Sequence, residues 1–313
     1  MPLLRPHSVI PGAQLGVIAP ASFAQNDRVQ GGLEALRSLG FSPMLSQSAH
    51  ARGPLFFAGT PEQRQSDLHA AFADQNTKAI LAVRGGYGSN YLLQGLDVAL
   101  IQRNPKPFFA YSDLTGIQLH LLDRIGLPVF HGPMLAADFN LENGVHLDSF
   151  RAALSGEFYS VGEAEGLRLL KPVPGVDRVN GILYGGCLSI LVSLLGTPWE
   201  PDTKGKLLFI EDVGAKPYQI DRMLWQLRAA GKLAGVRGII FGEMLDCTSR
   251  GGAPDLLENA ILSALQGFEG PIAIGLRSGH VSRSNVTLTF GVQAELTCGG
   301  APRLNLLEPA VSR

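Results

Sequence analysis

Cysteine is scarce in this chain: the three present, Cys187, Cys247 and Cys298, lie far apart and form no C-x-x-C pair. That excludes a disulfide framework and the common zinc-ligand spacings, and it points to a reducing compartment. Charge is sparse and balanced, with charged residues at 17% and a formal net charge of −1. With no basic excess to hold a polyanion, nucleic acid is not an expected partner. No apolar run reaches the roughly 20 residues that cross a bilayer. The opening "MPLLRPHSVIPGAQLGVIAP" has prolines and a histidine where a secretion signal needs an unbroken apolar core. The expectation is a cytoplasmic protein with no membrane partner. Neither G-x-G-x-x-G nor a phosphate loop ending in Gly-Lys-Ser/Thr occurs, which removes the usual nucleotide fingerprints.

What is present is apolar sequence in regular alternation. At 313 residues, 45% of them hydrophobic, the chain is long enough for two ordinary domains with buried cores. "LGVIAPAS" closes an apolar run with Pro and Ser, and "RVQGGLEALRSLG" follows with helical spacing up to Gly40. The same order of strand, turn and amphipathic helix returns in "TKAILAVRGGYGSNYLLQGL" and in "PKPFFAYSDLTGIQLHLLDRIG". This alternation predicts an α/β domain on a parallel sheet, with helices on its faces and ligand-binding loops at the carboxyl ends of its strands. Around 155–178 the segment "SGEFYSVGEAEGLRLLKPVPGV" loses helical periodicity and gathers Gly and Pro. The reading is a first domain over 1–154, a linker over 155–178 and a second domain over 179–313. The second carries the strand candidates "GKLLFIED", "VRGIIFGEM", "PIAIGL" and "NVTLTFG" among helical stretches, so a mixed α/β, strand-rich domain is expected.

In "KPFFAYSDLTGIQLHLL" Ser112 stands where an apolar strand gives way to a helix. Either Ser112 or Asp113 caps that helix, or Ser112 is a nucleophile exposed on the turn, near backbone N–H groups and the positive helix end. The G-x-S-x-G elbow is absent, since Ala110 and Leu114 occupy the glycine positions. A serine hydroxyl needs a base to remove its proton. Among seven histidines, His280 in "IAIGLRSGHVSRSN" follows a buried-looking strand and a glycine turn and is the best placed; His131 in "FHGPM" also follows a strand. A third group must hold the imidazole in its working tautomer. "LLFIEDVG" ends an apolar strand with Glu211 and Asp212, either as such a group or as a charged strand terminus in water. Gly85, Gly86 and Gly88 in "VRGGYGSNY" form either a tight turn or a nest whose N–H groups converge on an anion, half of an oxyanion hole.

Taken together, "AVRGGYGSNYLL", "FFAYSDLTGIQLHLL", "FHGPM", "GTPWEPDTKGKLLFIEDVGAKPYQIDRMLWQLRAAGKLAGVRGIIFGEMLDC" and "GLRSGHVSRSNVTLTFG" resemble the successive motifs of the LD-carboxypeptidases. These are serine peptidases of murein recycling, and the family also includes microcin C self-immunity peptidases. The resemblance runs in order from about Gly16 to about Gly291. It implies Ser112 as nucleophile, His280 as general base and Glu211 as the residue that orients it, with the backbone amides of Gly86 and Asp113 as oxyanion hole. It further implies a three-layer α/β/α N-terminal domain, class I glutamine amidotransferase-like, that carries the serine, a C-terminal domain that carries Glu and His, and a homodimer. The implied activity removes D-alanine from murein tetrapeptide, a small peptide substrate, with no metal or cofactor. A microcin-type peptidase that releases an aminoacyl nucleotide and a catalytically silent muropeptide-binding protein are the alternatives. Cys187 stands where the family pattern has asparagine, Ala215 where glutamate is frequent, and Ser278 where phenylalanine is common. A carboxypeptidase must also read a free carboxylate, and Arg84, beside the glycine nest, is the candidate because a guanidinium binds one bidentately.

Overall fold

A computed structural model of the chain describes residues 2–249 and 251–312 and divides it into two compact units. The first contains the chain up to Glu157, Arg283–Gly291 and the residues from Pro309 onward; the second contains Phe158–Ser282 and Val292–Glu308.

Five strands of the first unit, β1 (Gln14–Ile18), β2 (Ser42–Leu45), β3 (Thr77–Ala82), β4 (Phe108–Ala110) and β5 (Val129–His131), run parallel in the order β5-β4-β3-β1-β2. A sixth, Leu288–Phe290, pairs antiparallel with β5 and closes that edge. The central strands are unbroken apolar runs because both their faces are covered, and Val17, Ile80, Phe108 and Phe130 are fully buried. The helices are α1 (Asn26–Ser38), α2 (Pro61–Ala73), α3 (Val98–Arg103), α4 (Thr115–Ile125) and α5 (Leu147–Ser155). α1 buries Val29, Leu33 and Leu36, one stripe at helical spacing. α2 begins with a capping box, the Thr60 side chain accepting from the Gln63 N–H while the Gln63 side chain accepts from the Thr60 N–H, and has Pro61 in its first turn. The amphipathic helix expected directly after β3 is instead a 3₁₀ stretch, Ser89–Gly95, followed by the short α3. Gly88 is left-handed there, and Ser89 is tied by two hydrogen bonds to Asp113, which holds the chain out of α-helical register.

The second unit has an eight-stranded mixed sheet. Its strands are β6 (Ser160–Val161), β7 (Arg168–Lys171), β8 (Arg178–Cys187), β9 (Lys206–Glu211), β10 (Gly238–Gly242), β11 (Ile272–Leu276), and, with β12 denoting Leu288–Phe290 above, β13 (Gln293–Thr297) and β14 (Arg303–Leu306). In the order β6-β14-β13-β8-β9-β10-β11-β7, strands β8 to β11 are parallel and the flanking pairs antiparallel. Helices α6 (Leu188–Ser193), α7 (Pro217–Ala229) and α8 (Leu256–Ala264) complete it. The structure divides the chain differently from the sequence reading in two respects. Residues 155–178, read as a linker, contain β6 and β7, the two outermost strands of this sheet. Edge strands are short and their one exposed side admits polar residues, so they read as loops. Two segments read as part of the second domain belong to the first unit: 283–291, whose strand pairs with β5, and the residues from Pro309 onward.

Candidate active site

The serine is held in a backbone conformation that serine avoids. Ser112 follows β4 with φ +65°, opening a single 3₁₀ turn, Ser112–Leu114, ahead of α4. A left-handed non-glycine residue costs on the order of 1–2 kcal/mol, and such strain gathers where a side chain must be aimed. α4 has no side-chain cap, so the capping role open to Ser112 and Asp113 in the sequence is not the one they take. The Asp113 carboxylate instead accepts the Ser89 N–H at 2.8 Å, and its carbonyl accepts the Ser89 hydroxyl at 2.7 Å. Burial pushes the Asp113 carboxyl above its usual range, and the two Ser89 bonds and Arg64 offset part of that.

Gly85 to Gly88 wrap the serine. A Cβ at Gly85 would lie 2.8 Å from the Ser112 Cβ and 3.0 Å from its Oγ, so only glycine permits this approach. The same point is 3.3 Å from the Asp113 nitrogen. Gly86 is left-handed at φ +103°. Among the described residues, neither the Gly86 N–H nor the Asp113 N–H donates to another group. Two unclaimed amides of unit 1 are therefore next in the chain to the contact, Asp113 after Ser112 and Gly86 after the glycine packed on it, an unusual condition for backbone donors. The loop is braced by Ser22, whose hydroxyl accepts the Tyr87 N–H at 3.1 Å, and by Arg64. Arg64, only 1% exposed, donates to the Pro20 and Gly88 carbonyls at 2.7 Å each and lies over the Phe57 ring. Arg84 makes no such brace: among the described residues it has no side-chain hydrogen bond or ion pair, and its Nη2 lies 3.7 Å from where a Gly86 Cβ would be. The sequence reading missed Arg64; its signal was an arginine in register with Leu68 and Phe72 on the buried stripe of α2.

Glu211 and His280 meet in unit 2. Glu211 ends β9 fully buried, and its Oε2 accepts both the His280 Nδ1–H at 2.7 Å and the His280 backbone N–H at 3.0 Å. The strand terminus is therefore not one bathed in water. With Nδ1 donating, Nε2 is left as the basic nitrogen. Two glycines make room for the carboxylate: a Cβ at Gly242 would lie 2.8 Å from the Glu211 Cβ, and one at Gly279, where φ is +89°, would lie 2.6 Å from Cδ. Asp212 faces elsewhere, accepting the Ser189 N–H at 2.9 Å and the Val213 N–H at 2.8 Å. Burial raises its carboxyl above the usual range, with Glu211 adding to the rise after the hydrogen bonds lower it. Cys187 sits opposite Glu211 in the β8–β9 register. Burial first, then the charges of Glu211 and Asp212, push its thiol well above the ordinary value. Ser278 is fully buried. Other histidines have local tasks: His131 is buried and stacked on Phe290 at 5.2 Å, His146 accepts the Ser149 N–H at the start of α5, and His69 accepts the Asp97 N–H.

Both units match the descriptions of one family: the LD-carboxypeptidase N-terminal domain over residues 15–132 and the LD-carboxypeptidase C-terminal domain over residues 180–296. The chain belongs to the LD-carboxypeptidase family. It is a hydrolase of the serine carboxypeptidase class. A protein of Bacillus subtilis named a probable murein peptide carboxypeptidase is 36% identical over 98% of this chain and 95% of its own length. The solved structure of a muramoyltetrapeptide carboxypeptidase from Oxalobacter formigenes superposes with a TM-score of 0.83 at 28% identity, covering 95% of this chain and 99% of that one. A microcin C7 self-immunity protein of Escherichia coli is more distant, at 26% identity over 88% of this chain and 87% of its own length. Among the described residues, no helix is long and apolar enough to cross a membrane.

Proposed function

We propose that this LD-carboxypeptidase removes the terminal D-alanine of murein tetrapeptide by cutting an L,D peptide bond, with Ser112 as nucleophile, His280 as base and Glu211 as the residue that orients it. The observation that carries the reading is Ser112 in its left-handed turn, packed on Gly85, with the adjoining amides of Gly86 and Asp113 unclaimed among the described residues. The His280 Nε2 takes the hydroxyl proton as Ser112 Oγ adds to the scissile carbonyl carbon. Negative charge gathers on the carbonyl oxygen and is met by the Gly86 and Asp113 N–H groups, which are preorganised and need no reorientation. Collapse of the tetrahedral intermediate breaks the C–N bond, and the departing D-alanine amine takes the proton from His280. Water then attacks the acyl-enzyme, giving a proton to His280, and as the C–Oγ bond breaks His280 returns that proton to Ser112 Oγ and the shortened peptide leaves. Through both steps the buried Glu211 carboxylate, bonded to Nδ1, stabilises the imidazolium and fixes which nitrogen faces the reaction. Arg84, unpaired and close to Gly86, binds the substrate's terminal carboxylate. The enzyme works in the cytoplasm as a homodimer.

Higher identity to the murein carboxypeptidase than to the microcin protein favours the muropeptide over an aminoacyl nucleotide. The presence of Ser112, Glu211 and His280 together at the matching motif positions favours catalysis over silent binding. The test is incubation with tetrapeptide ending in D-alanine, its L-alanine diastereomer and a microcin-like aminoacyl nucleotide, with products read by mass spectrometry. Release of D-alanine alone is expected. Equal release from both diastereomers, or turnover of the nucleotide substrate only, would overturn the assignment.

A further inference from the structure

Two exposed arginines of unit 1 share one cavity. Arg28, in the first turn of α1, and Arg84 line a space of about 290 Å³ whose walls include Phe23, Ala136 and Ala137. Among the described residues, neither guanidinium makes an ion pair or a side-chain hydrogen bond. No carboxylate lines the cavity; Asp27, the neighbour of Arg28, is not among its walls. A third arginine adds to the positive field, since the Arg52 guanidinium lies 4.9 Å from the centroid of the Phe23 ring. Gln25, at the start of α1, also lines the space, and its side chain makes no capping bond, so the positive end of the helix is left open to it. Both arginines are solvent-exposed, and together they give the space a positive field that favours an anion.

The position of the cavity says which anion. Arg84 places its Nη2 next to Gly86, one of the two amides assigned to the oxyanion. In a peptide cut at its last bond, the terminal carboxylate is one peptide unit from the scissile carbonyl, on the order of 4 Å. The opposite wall is fixed to the same strand end, because the Ala136 N–H donates to the Val83 carbonyl at 2.9 Å. The volume is at the low end of the roughly 300–1,000 Å³ of small-molecule pockets, the scale of a single amino acid rather than a nucleotide. Apart from the two arginines and Gln25 the walls are apolar, Phe23 together with Ala24, Ala136 and Ala137, and the three alanines leave room for a methyl group.

We propose that this cavity is the pocket of the leaving residue: Arg28 and Arg84 jointly hold its free carboxylate, and Ala136 and Ala137 face its side chain. The assignment rests on the carboxypeptidase reading above and adds Arg28 as a residue that determines specificity. Kinetics on tetrapeptide and on its C-terminal amide, for the native enzyme, Arg28→Gln and Arg28→Lys, test it. Arg28→Gln is expected to raise KM for the free acid roughly 10-fold while kcat changes little, a loss of the size a charged hydrogen bond at a solvated site supplies. The amide, which carries no carboxylate, should be unaffected, so the acid-over-amide preference falls by the same factor, and Arg28→Lys should restore part of it. A merely structural arginine would weaken both substrates alike, and that result, or an unchanged preference, overturns the proposal. Calorimetric titration with free D-alanine separates this pocket from the reaction. Binding that Arg28→Gln weakens roughly 10-fold supports the pocket even if no peptide is cut. Inorganic phosphate displacing D-alanine with equal affinity would mark a general anion site and overturn it.

Discussion

Gly279→Ala changes no reacting group, yet it should disable the Glu211–His280 pair. The added Cβ would lie 2.6 Å from the Glu211 Cδ and 2.7 Å from the Oε2 that holds His280, where ordinary contacts begin near 3.4 Å. Glu211 is fully buried and cannot swing into solvent, so the carboxylate or the His280 loop must retreat by roughly 1 Å. A misplacement of about 1 Å costs on the order of 10²-fold in rate, so kcat for D-alanine release should fall about 100-fold while KM stays near its native value. The substitution also forces alanine to φ +89°, a backbone penalty of about 1–2 kcal/mol that would lower the melting temperature by itself. Gly267→Ala supplies the control. Its φ is +87° and nothing lies within 4 Å of the Cβ it would gain, so it carries the strain without the collision. Release of D-alanine, followed with a stereospecific amino-acid oxidase, and melting curves on both variants separate the two effects. Gly267→Ala should lose stability and keep kcat. If Gly279→Ala keeps kcat within a factor of two while melting like Gly267→Ala, the observed hydrogen bond is not the working arrangement, and the orienting role of Glu211 is refuted.

Ser112→Gly should abolish hydrolysis, by about 10⁴-fold or more, and at the same time stabilise the fold by about 1 kcal/mol, because glycine accepts φ +65° without strain; a lower melting temperature would contradict the strain argument. Asp113→Asn should keep the unclaimed backbone N–H and the side-chain oxygen that Ser89 uses, and so retain activity. The Asp113 carboxyl binds its proton more tightly folded than unfolded, so its contribution to stability is highest in acid and falls as pH rises from the unfolded value through the raised folded one. Asn should flatten that fall, and urea titrations between about pH 3 and pH 7 showing the same slope for both proteins would remove Asp113 as its source. Cys187 and Cys247 are buried with thiols pushed up, Cys247 to about 11, so a disulfide reagent at pH 8 should leave both unreacted and activity intact although Cys187 adjoins Glu211; rapid inactivation would show that one of them is accessible or reactive.

Periodicity sufficed for the parallel sheet of unit 1, because strands buried on both faces are apolar throughout and the helices between them carry a stripe. It did not single out α2, whose buried stripe includes Arg64, or β8, which ends on Gly185, Gly186 and Cys187. Gly185 is there because any Cβ would meet the Phe209 carbonyl oxygen of the neighbouring strand at 1.8 Å, a fact about β9 that the local sequence does not contain. Ser112, Glu211 and His280 stood out because each follows an apolar strand, which is where an α/β sheet presents side chains. The contact between Glu211 and His280 is another matter: they are 69 residues apart, and the parallel pairing of β9 and β11 on either side of β10 brings their strand ends to the same end of the sheet. Neither the strain at Ser112 nor the unclaimed amides beside it could be read from residue types, since both are properties of backbone geometry.

The edge strand Leu288–Phe290 gives the two units a timetable. A ribosome emits the chain from its N-terminus, and domains generally fold as they emerge. The serine turn and strands β1 to β5 appear early, but the partner that covers the edge of β5 is made only after Ser282, when the last residues of the Glu–His pair already exist. Until then β5 offers its unpaired groups to any passing strand, its own chain's or another's. A nascent chain stalled between residues 158 and 282 should therefore be the aggregation-prone species, and the sheet that carries Ser112 is completed only once His280 has been synthesised.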